Sequence, residues 1–264
     1  MQYNKLKKLL DDLYLSYKHK FSSKDPVWNL HRFGNEQDIE LAGLITAVYT
    51  YGSIDLINRF IELFLNRINF KPYEFIINFS KHKDKKFLKG LNYRFNSEND
   101  IISLVQAINK VLVSHRSLKE LFISGYANDD KNILPALANF SKEINRQLPS
   151  PSGRGLRSYP HYMVSNPAAG SASKRMNLFL RWMIRRDEID LGIWNTIPAC
   201  KLIMPVDTHI ARVSKKLELV KRKSIDIKFA IELTETLKKF DPIDPVKYDF
   251  SLCHVGIEKK TIPE

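Results

Sequence analysis

GSASKRMNLFLRWMIRR, residues 170–186, decides how this chain is read. Four small residues, Gly170 to Ser173, lead directly into a run with helical texture. The spacing predicts a strong helix from about Ser173 to Arg186, with Lys174 in its first turn. Immediately upstream, PSPSGRGLRSYPHYMVSNPAAG (149–170) is rich in Pro, Gly and Ser and reads as a loop or turn-rich segment. A second helix follows within MPVDTHIARVSKKLEL (204–219), opening after Pro205 and running to about Leu217.

The same periodicity extends in both directions. Leu6, Leu9, Leu10, Leu13 and Tyr17 form one stripe over residues 5–18. QDIELAGLITAVYTY (37–51) reads as a largely buried helix, in which Ala42, Gly43 and Ala47 permit close packing. Residues 53–68 space Ile54, Ile57, Phe60, Ile61, Phe64, Leu65 and Ile68 by three and four, and 100–113 and 132–147 repeat the texture. Between these lies KHKDKKFLKG (81–90), read as a basic connector. A helix over roughly 224–239 has Ser224 and Asp226 available as caps. DPIDPVKYDFSLCHVGI (241–257) gives a double-proline turn and a short apolar helix. No strand alternation and no internal repeat emerges, so the expected fold class is all-α.

Composition narrows the function classes. Hydrophobic residues make up 44% and charged residues 27% of 264, a globular balance that argues against global disorder. Forty-two Lys and Arg against 29 Asp and Glu leave a formal net charge of +13. Such a surplus favours polyanions, either nucleic acid or an acidic membrane face, unless it is only a lysine-rich solvated surface. Two isolated cysteines, Cys200 and Cys253, cannot build a zinc or iron–sulfur site and imply no disulfide framework. The N-terminal MQYNKLKKLLDDLYLSYK (1–18) reads as an amphipathic helix rather than a signal peptide, and no window is apolar enough to span a membrane. A cytoplasmic, nucleoid-associated protein is the expectation.

Chemistry concentrates in the two quoted segments. A helix start carries a partial positive charge that disfavours a second cation there, and Schiff-base chemistry needs an uncharged amine. Lys174 occupies such a place, although a surface lysine in a basic protein is the plain alternative. Asp207 is a natural N-cap for the helix that starts with Thr208 and His209, a role sufficient to explain it. Used chemically, its carboxylate stabilises positive charge. Arg212, Lys215 and Lys216 follow, placed either to grip phosphates or to be solvated.

PVDTHIARVSKKLEL (205–219) resembles the segment of helix-hairpin-helix DNA glycosylases, the endonuclease III and adenine glycosylase superfamily, in which a V-D-T-H stretch carries an essential aspartate. By that resemblance Asp207 takes the aspartate's place and His209 that of a histidine beside the DNA. GSASKR (170–175) resembles the hairpin end where bifunctional members keep a lysine nucleophile, and Lys174 takes that place. YDFSLCHVGI (248–257) resembles the last helix of the same core. The interval from Lys174 to Asp207, 207 − 174 = 33 residues, is similar to that of the archaeal 8-oxoguanine glycosylase branch. The pattern also looks like a bacterial family catalogued without assigned function. One departure stands out: AAGSASK offers a single glycine, Gly170, where the superfamily hairpin has two, and because the preceding segment is rich in Pro and Ser the first hairpin helix should be short, irregular or missing.

The resemblance implies an HhH-GPD-like arrangement: two helical domains with a DNA-binding cleft between them. One would comprise 31–204 with Lys174, the other 1–30 plus 205–264 with Asp207. It implies a base-excision repair glycosylase with AP lyase activity, acting as a monomer on double-stranded DNA with a damaged base, expected to be 8-oxoguanine. Neither metal nor organic cofactor is called for. Gly170, Ser171, Ser173, Arg175, His209 and Arg212 are the candidate DNA contacts. Trp182, Trp194, Tyr248 and Phe250 are candidate base-pocket aromatics, each more readily read as core. Tyr49 or Tyr51 is a candidate wedge. Two alternatives stay open: a non-catalytic nucleic-acid binder on the same scaffold, and a glycosylase for an oxidised pyrimidine.

Overall fold

Side-chain caps mark where the helices begin. Asn35, Ser53, Ser97, Ser117, Asp207 and Asp226 each accept a backbone N–H from the turn they open. At Ser97 the bond is reciprocated by Asp100, a complete capping box. The computed structural model describes residues 3–17, 25–149 and 159–258. Its helices are α1 (Tyr3–Tyr17), α2 (Glu36–Val48), α3 (Ile54–Arg67), α4 (Pro72–Ile77), α5 (Lys81–Leu88), α6 (Glu98–His115), α7 (Leu118–Ile123), α8 (Leu134–Gln147), α9 (Tyr159–Met163), α10 (Lys174–Ile184), α11 (Thr208–Lys216), α12 (Ile227–Lys238) and α13 (Asp249–Ile257). Among the described residues there is no strand, only isolated bridges at Tyr93–Asn96 and Arg186–Leu191. The protein is all-helical, as the periodicity predicts.

Contacts divide the chain into two units. One is Ser23–Asp130 with Leu134–Asn166; the other is Met1–Ser22, Lys131–Ile133 and Pro167–Glu264. In the first, α6 packs against α4, α5, α7, α8 and α9. Helix α2 is buried continuously from Ile39 to Val48, which its small residues allow. The segment read as a basic connector is helical instead. Asp84 accepts from the Ser80 N–H at 2.8 Å at the start of α5, and Lys85 and Lys86 sit favourably in its last turn.

The second unit holds α1 and α10 to α13. It differs from the expected boundary at residue 204, because residues 167–204 group with the C-terminal segment. Hydrogen bonds explain why. The Trp182 carbonyl accepts from both Leu191 and Gly192, and the Met183 carbonyl accepts from Trp194 at 2.7 Å, folding the stretch after α10 back on it. Helices α11 and α13 are packed closely, and Gly256 makes that possible. A Cβ at Gly256 would lie 2.8 Å from the Cβ of His209.

At the centre of this unit lies a buried ionic network. Arg181 of α10 bonds Asp190 through Nε and Nη2, at 3.1 and 3.0 Å, and Asp249 of α13 through Nη1. Arg185 bonds the second oxygen of Asp190 at 2.8 Å, and also Asp187 and Asp244. Removing one side of a buried pair leaves an uncompensated charge, which typically costs about 3–5 kcal/mol. Arg181→Met should therefore lower unfolding free energy by about that amount. Urea denaturation of the two proteins measures it, and a change below about 1 kcal/mol would refute the structural role.

Candidate functional site

The turn Gly170–Ser173 aims the start of α10. Gly170 adopts a left-handed φ of 87°, and its carbonyl accepts the N–H of Ile227 at 3.2 Å, tying the turn to α12. Ser173 is also left-handed, with φ 46°, a conformation that L-residues rarely hold. Asn177 secures it from within the helix, donating its Nδ2 to the Ala172 carbonyl at 3.0 Å. Lys174 is thus the first residue of α10, on a turn fixed from two sides.

Asp207 sits at the start of α11, and its two carboxylate oxygens do different things. Oδ1 caps the helix, accepting from the N–H groups of His209 and Ile210 at 2.9 Å each. Oδ2 faces the Lys174 amine, with Nζ 3.9 Å away. The thiol of Cys253, on α13, reaches the same oxygen at 3.9 Å. The Lys174 and Asp207 side chains are 30% and 20% exposed, so both are half-sheltered yet reachable from solvent. The chain thus brings an amine, a carboxylate and a thiol together from three helices of one unit.

Other sequence candidates fall in several environments. Gly170 and Ser171 are exposed just before α10, whereas Ser173 is buried. Arg175, expected to grip phosphate, is buried at 8% exposure, because its position on α10 points into the unit. His209 is half-buried and its Nδ1 is enclosed without a hydrogen-bond partner. Arg212 is exposed and donates to the Gly256 carbonyl near the end of α13. Trp182, Trp194, Tyr248 and Phe250 are all buried. Trp194 meets Phe179 edge-on, and the Tyr248 hydroxyl donates to Asp11 at 2.8 Å. Of the wedge candidates, Tyr49 is buried against Phe60 and Tyr93, and the half-buried Tyr51 donates to Asn96.

The sequence reading passed over Asp249. It is 4% exposed, its Oδ2 accepts from Arg181, and its Oδ1 has no hydrogen-bond partner. Burial pushes its carboxyl up to about 6. Arg181 and Lys174 pull the other way, and the charges of Asp207 and Asp190 add to the rise. Ionising it therefore costs folding free energy, a cost absent below the ordinary carboxylate range and complete above about pH 6. The only sequence signal was an aspartate opening a short, mostly apolar helix.

A family model described as "Protein of unknown function (DUF2400)" matches residues 25–258. No curated protein and no solved structure matches the chain.

The divided use of Asp207 has a consequence for stability. Asparagine caps helices as well as aspartate, whereas alanine in that place costs about 0.5–2 kcal/mol. Thermal unfolding of Asp207→Asn should stay within about 0.5 kcal/mol of the parent protein, while Asp207→Ala loses about 1 kcal/mol. Equal losses in both variants would mean that Oδ2, not the cap, holds the fold.

Proposed function

The chain belongs to the DUF2400 family, and we propose that it is a DNA base-excision glycosylase with AP lyase activity, built on an HhH-GPD-like helical scaffold. The observation that carries this reading is the 3.9 Å approach of the Lys174 amine to Asp207 Oδ2, with the other oxygen already committed to the helix. An amine beside a carboxylate whose position is fixed by a cap is the pairing that nucleophile activation needs. The proposed substrate is double-stranded DNA with an oxidised base, 8-oxoguanine before others.

The target nucleotide must first leave the base stack, at a cost of a few kcal/mol. Phosphate contacts offset that cost through counterion release, for which a net charge of +13 is suited. Exposed Gly170 and Ser171, beside the helix start, and Arg212 are placed to take part. The Lys174 amine attacks C1′ and forms a C–N bond. The glycosidic bond breaks and the base leaves with its electron pair. Asp207 stabilises the positive charge that develops on the sugar and accepts the proton the amine loses. Opening of the sugar gives a Schiff base, and loss of a 2′ proton expels the 3′ phosphate and nicks the strand.

Borohydride reduction converts such a Schiff base into a stable covalent adduct. Incubation with 8-oxoguanine duplexes and abasic-site duplexes, followed by borohydride, should give a protein–DNA adduct that Lys174→Gln abolishes. Binding should also weaken steeply between 50 and 200 mM salt, by a factor on the order of 10³ if about six phosphates are neutralised. Absence of an adduct with oxidised purines, oxidised pyrimidines and abasic sites alike would overturn the lyase reading and leave a nucleic-acid-binding scaffold.

A further inference from the structure

The first unit holds a cavity that the proposed reaction does not use. It has a volume of about 260 Å³ and opens on the surface between the end of α3, α4 and α5. Its walls combine two aromatic rings, Phe75 and Phe87, with the cations Arg67 and Lys71 and the amides of Asn69 and Asn78. The Phe87 ring meets Phe75 edge-on, with centroids 6.1 Å apart, and is still 38% exposed. A ring left partly in water at a cavity wall is one that a planar group can cover.

Charge around this cavity is one-sided. Residues 67–89 contain seven Lys and Arg against two acids, Glu74 and Asp84. Both acids line the cavity and both are engaged: Glu74 pairs with Lys71 at 2.8 Å, and Asp84 accepts the Ser80 N–H. Arg67 donates to the carbonyls of Phe87 at 3.2 Å and Lys89 at 2.5 Å, which ties α3 to the end of α5 without a carboxylate to cancel its charge. Lys81, Lys83, Lys85, Lys86 and Lys89 are exposed, and none of them ion-pairs among the described residues. Lys86 Nζ also lies over the Phe87 ring, 5.1 Å from its centroid.

The backbone at the rim is strained. Asn69 and Phe70 are consecutive non-glycine residues with a left-handed φ of 53° each, and Arg32 holds the Phe70 ring from 4.3 Å. Strain of this kind persists where the surroundings enforce it, and it clusters at ligand sites. Here it carries Asn69 to the cavity wall.

A partly exposed ring beside a row of cations is the chemistry that holds an unpaired nucleic-acid strand: the ring stacks on a base and the cations follow the phosphates. An acidic peptide would use the lysines and leave Phe87 and the two amides without a role. Paired bases in a duplex are stacked on each other and present no face to a side chain. We propose that the cavity between α3, α4 and α5 is a binding site for a single-stranded nucleic acid, with one unpaired base on Phe87 and the flanking phosphates on Arg67 and the α5 lysines. No step of this binding uses Lys174 or Asp207.

The test is fluorescence anisotropy on the full chain with labelled oligothymidylate and oligouridylate of about 12 nucleotides, within the span of single-strand grooves. Binding of either supports the site, and the tighter one tells DNA from RNA. Phe87→Leu, which keeps an apolar side chain but removes the ring, should weaken single-strand binding about tenfold, the size of one stacked base. Phe87→Trp should restore it, and binding to a duplex of the same length should not change in either variant. Replacing Lys83, Lys85 and Lys86 with Gln should weaken binding and flatten its salt dependence. An oligonucleotide carrying 5-iodouracil should photo-crosslink to the peptide that contains Phe87. Three results overturn the proposal: equal single-strand affinity in Phe87→Leu and the parent, crosslinks confined to other peptides, or displacement of the oligonucleotide by polyglutamate of matching charge as readily as by unlabelled strand. A parent protein that forms no borohydride adduct refutes the lyase reading and leaves this site to be decided by the crosslink.

Discussion

The Arg181 guanidinium ties together three parts of the C-terminal unit. It sits on α10, bonds the turn that follows α10 through Asp190, and reaches α13 through Asp249. A buried guanidinium is tolerated only where its hydrogen bonds are met, so its planar fork specifies where those partners must be. Lys174 lies seven residues earlier on the same helix, about two turns away. The arginine that orders the interior therefore also sets the register of the helix that begins with the amine.

The contact between α11 and α13 converts that order into a site. Close approach requires a residue without a side chain at position 256, where His209 would collide with a Cβ. It also brings Cys253 to Asp207. Asp207 uses one carboxylate twice: two backbone N–H groups hold Oδ1 in place, and Oδ2 faces the Lys174 amine. Because the cap is local to α11, the direction of Oδ2 is set before any partner arrives. This is preorganisation achieved with backbone groups, which do not reorient when charge develops nearby.

Most of the helical content was legible from apolar spacing, and the caps at Asp207 and Asp226 from residue type alone. Basic α5 was missed because five of its eight residues are Lys or Asp, leaving too few apolar positions to show a period. The pairing of Lys174 with Asp207 was legible only through the motif resemblance, since a lone lysine and a capping aspartate are each commonplace. Aromatic side chains were the weakest guide. Trp182 and Trp194 are core residues, and a tryptophan at helical spacing looks the same in sequence whether it lines a pocket or fills one. Arg175 misled in a related way: it looks like a surface cation, and it is buried. Asp249 and its orphaned oxygen could not be foreseen, because burial of a carboxylate depends on which helix face meets which neighbour.

Charge placement gives the deeper reason for that last failure. The chain as a whole carries a net charge of +13, yet its buried network is acidic, with four aspartates around two arginines. A solvated basic exterior costs little and attracts polyanions at long range. An acidic interior costs a great deal, and each charge in it acts strongly on its neighbours, because desolvation removes the screening that water would supply. Composition reports the first and averages away the second.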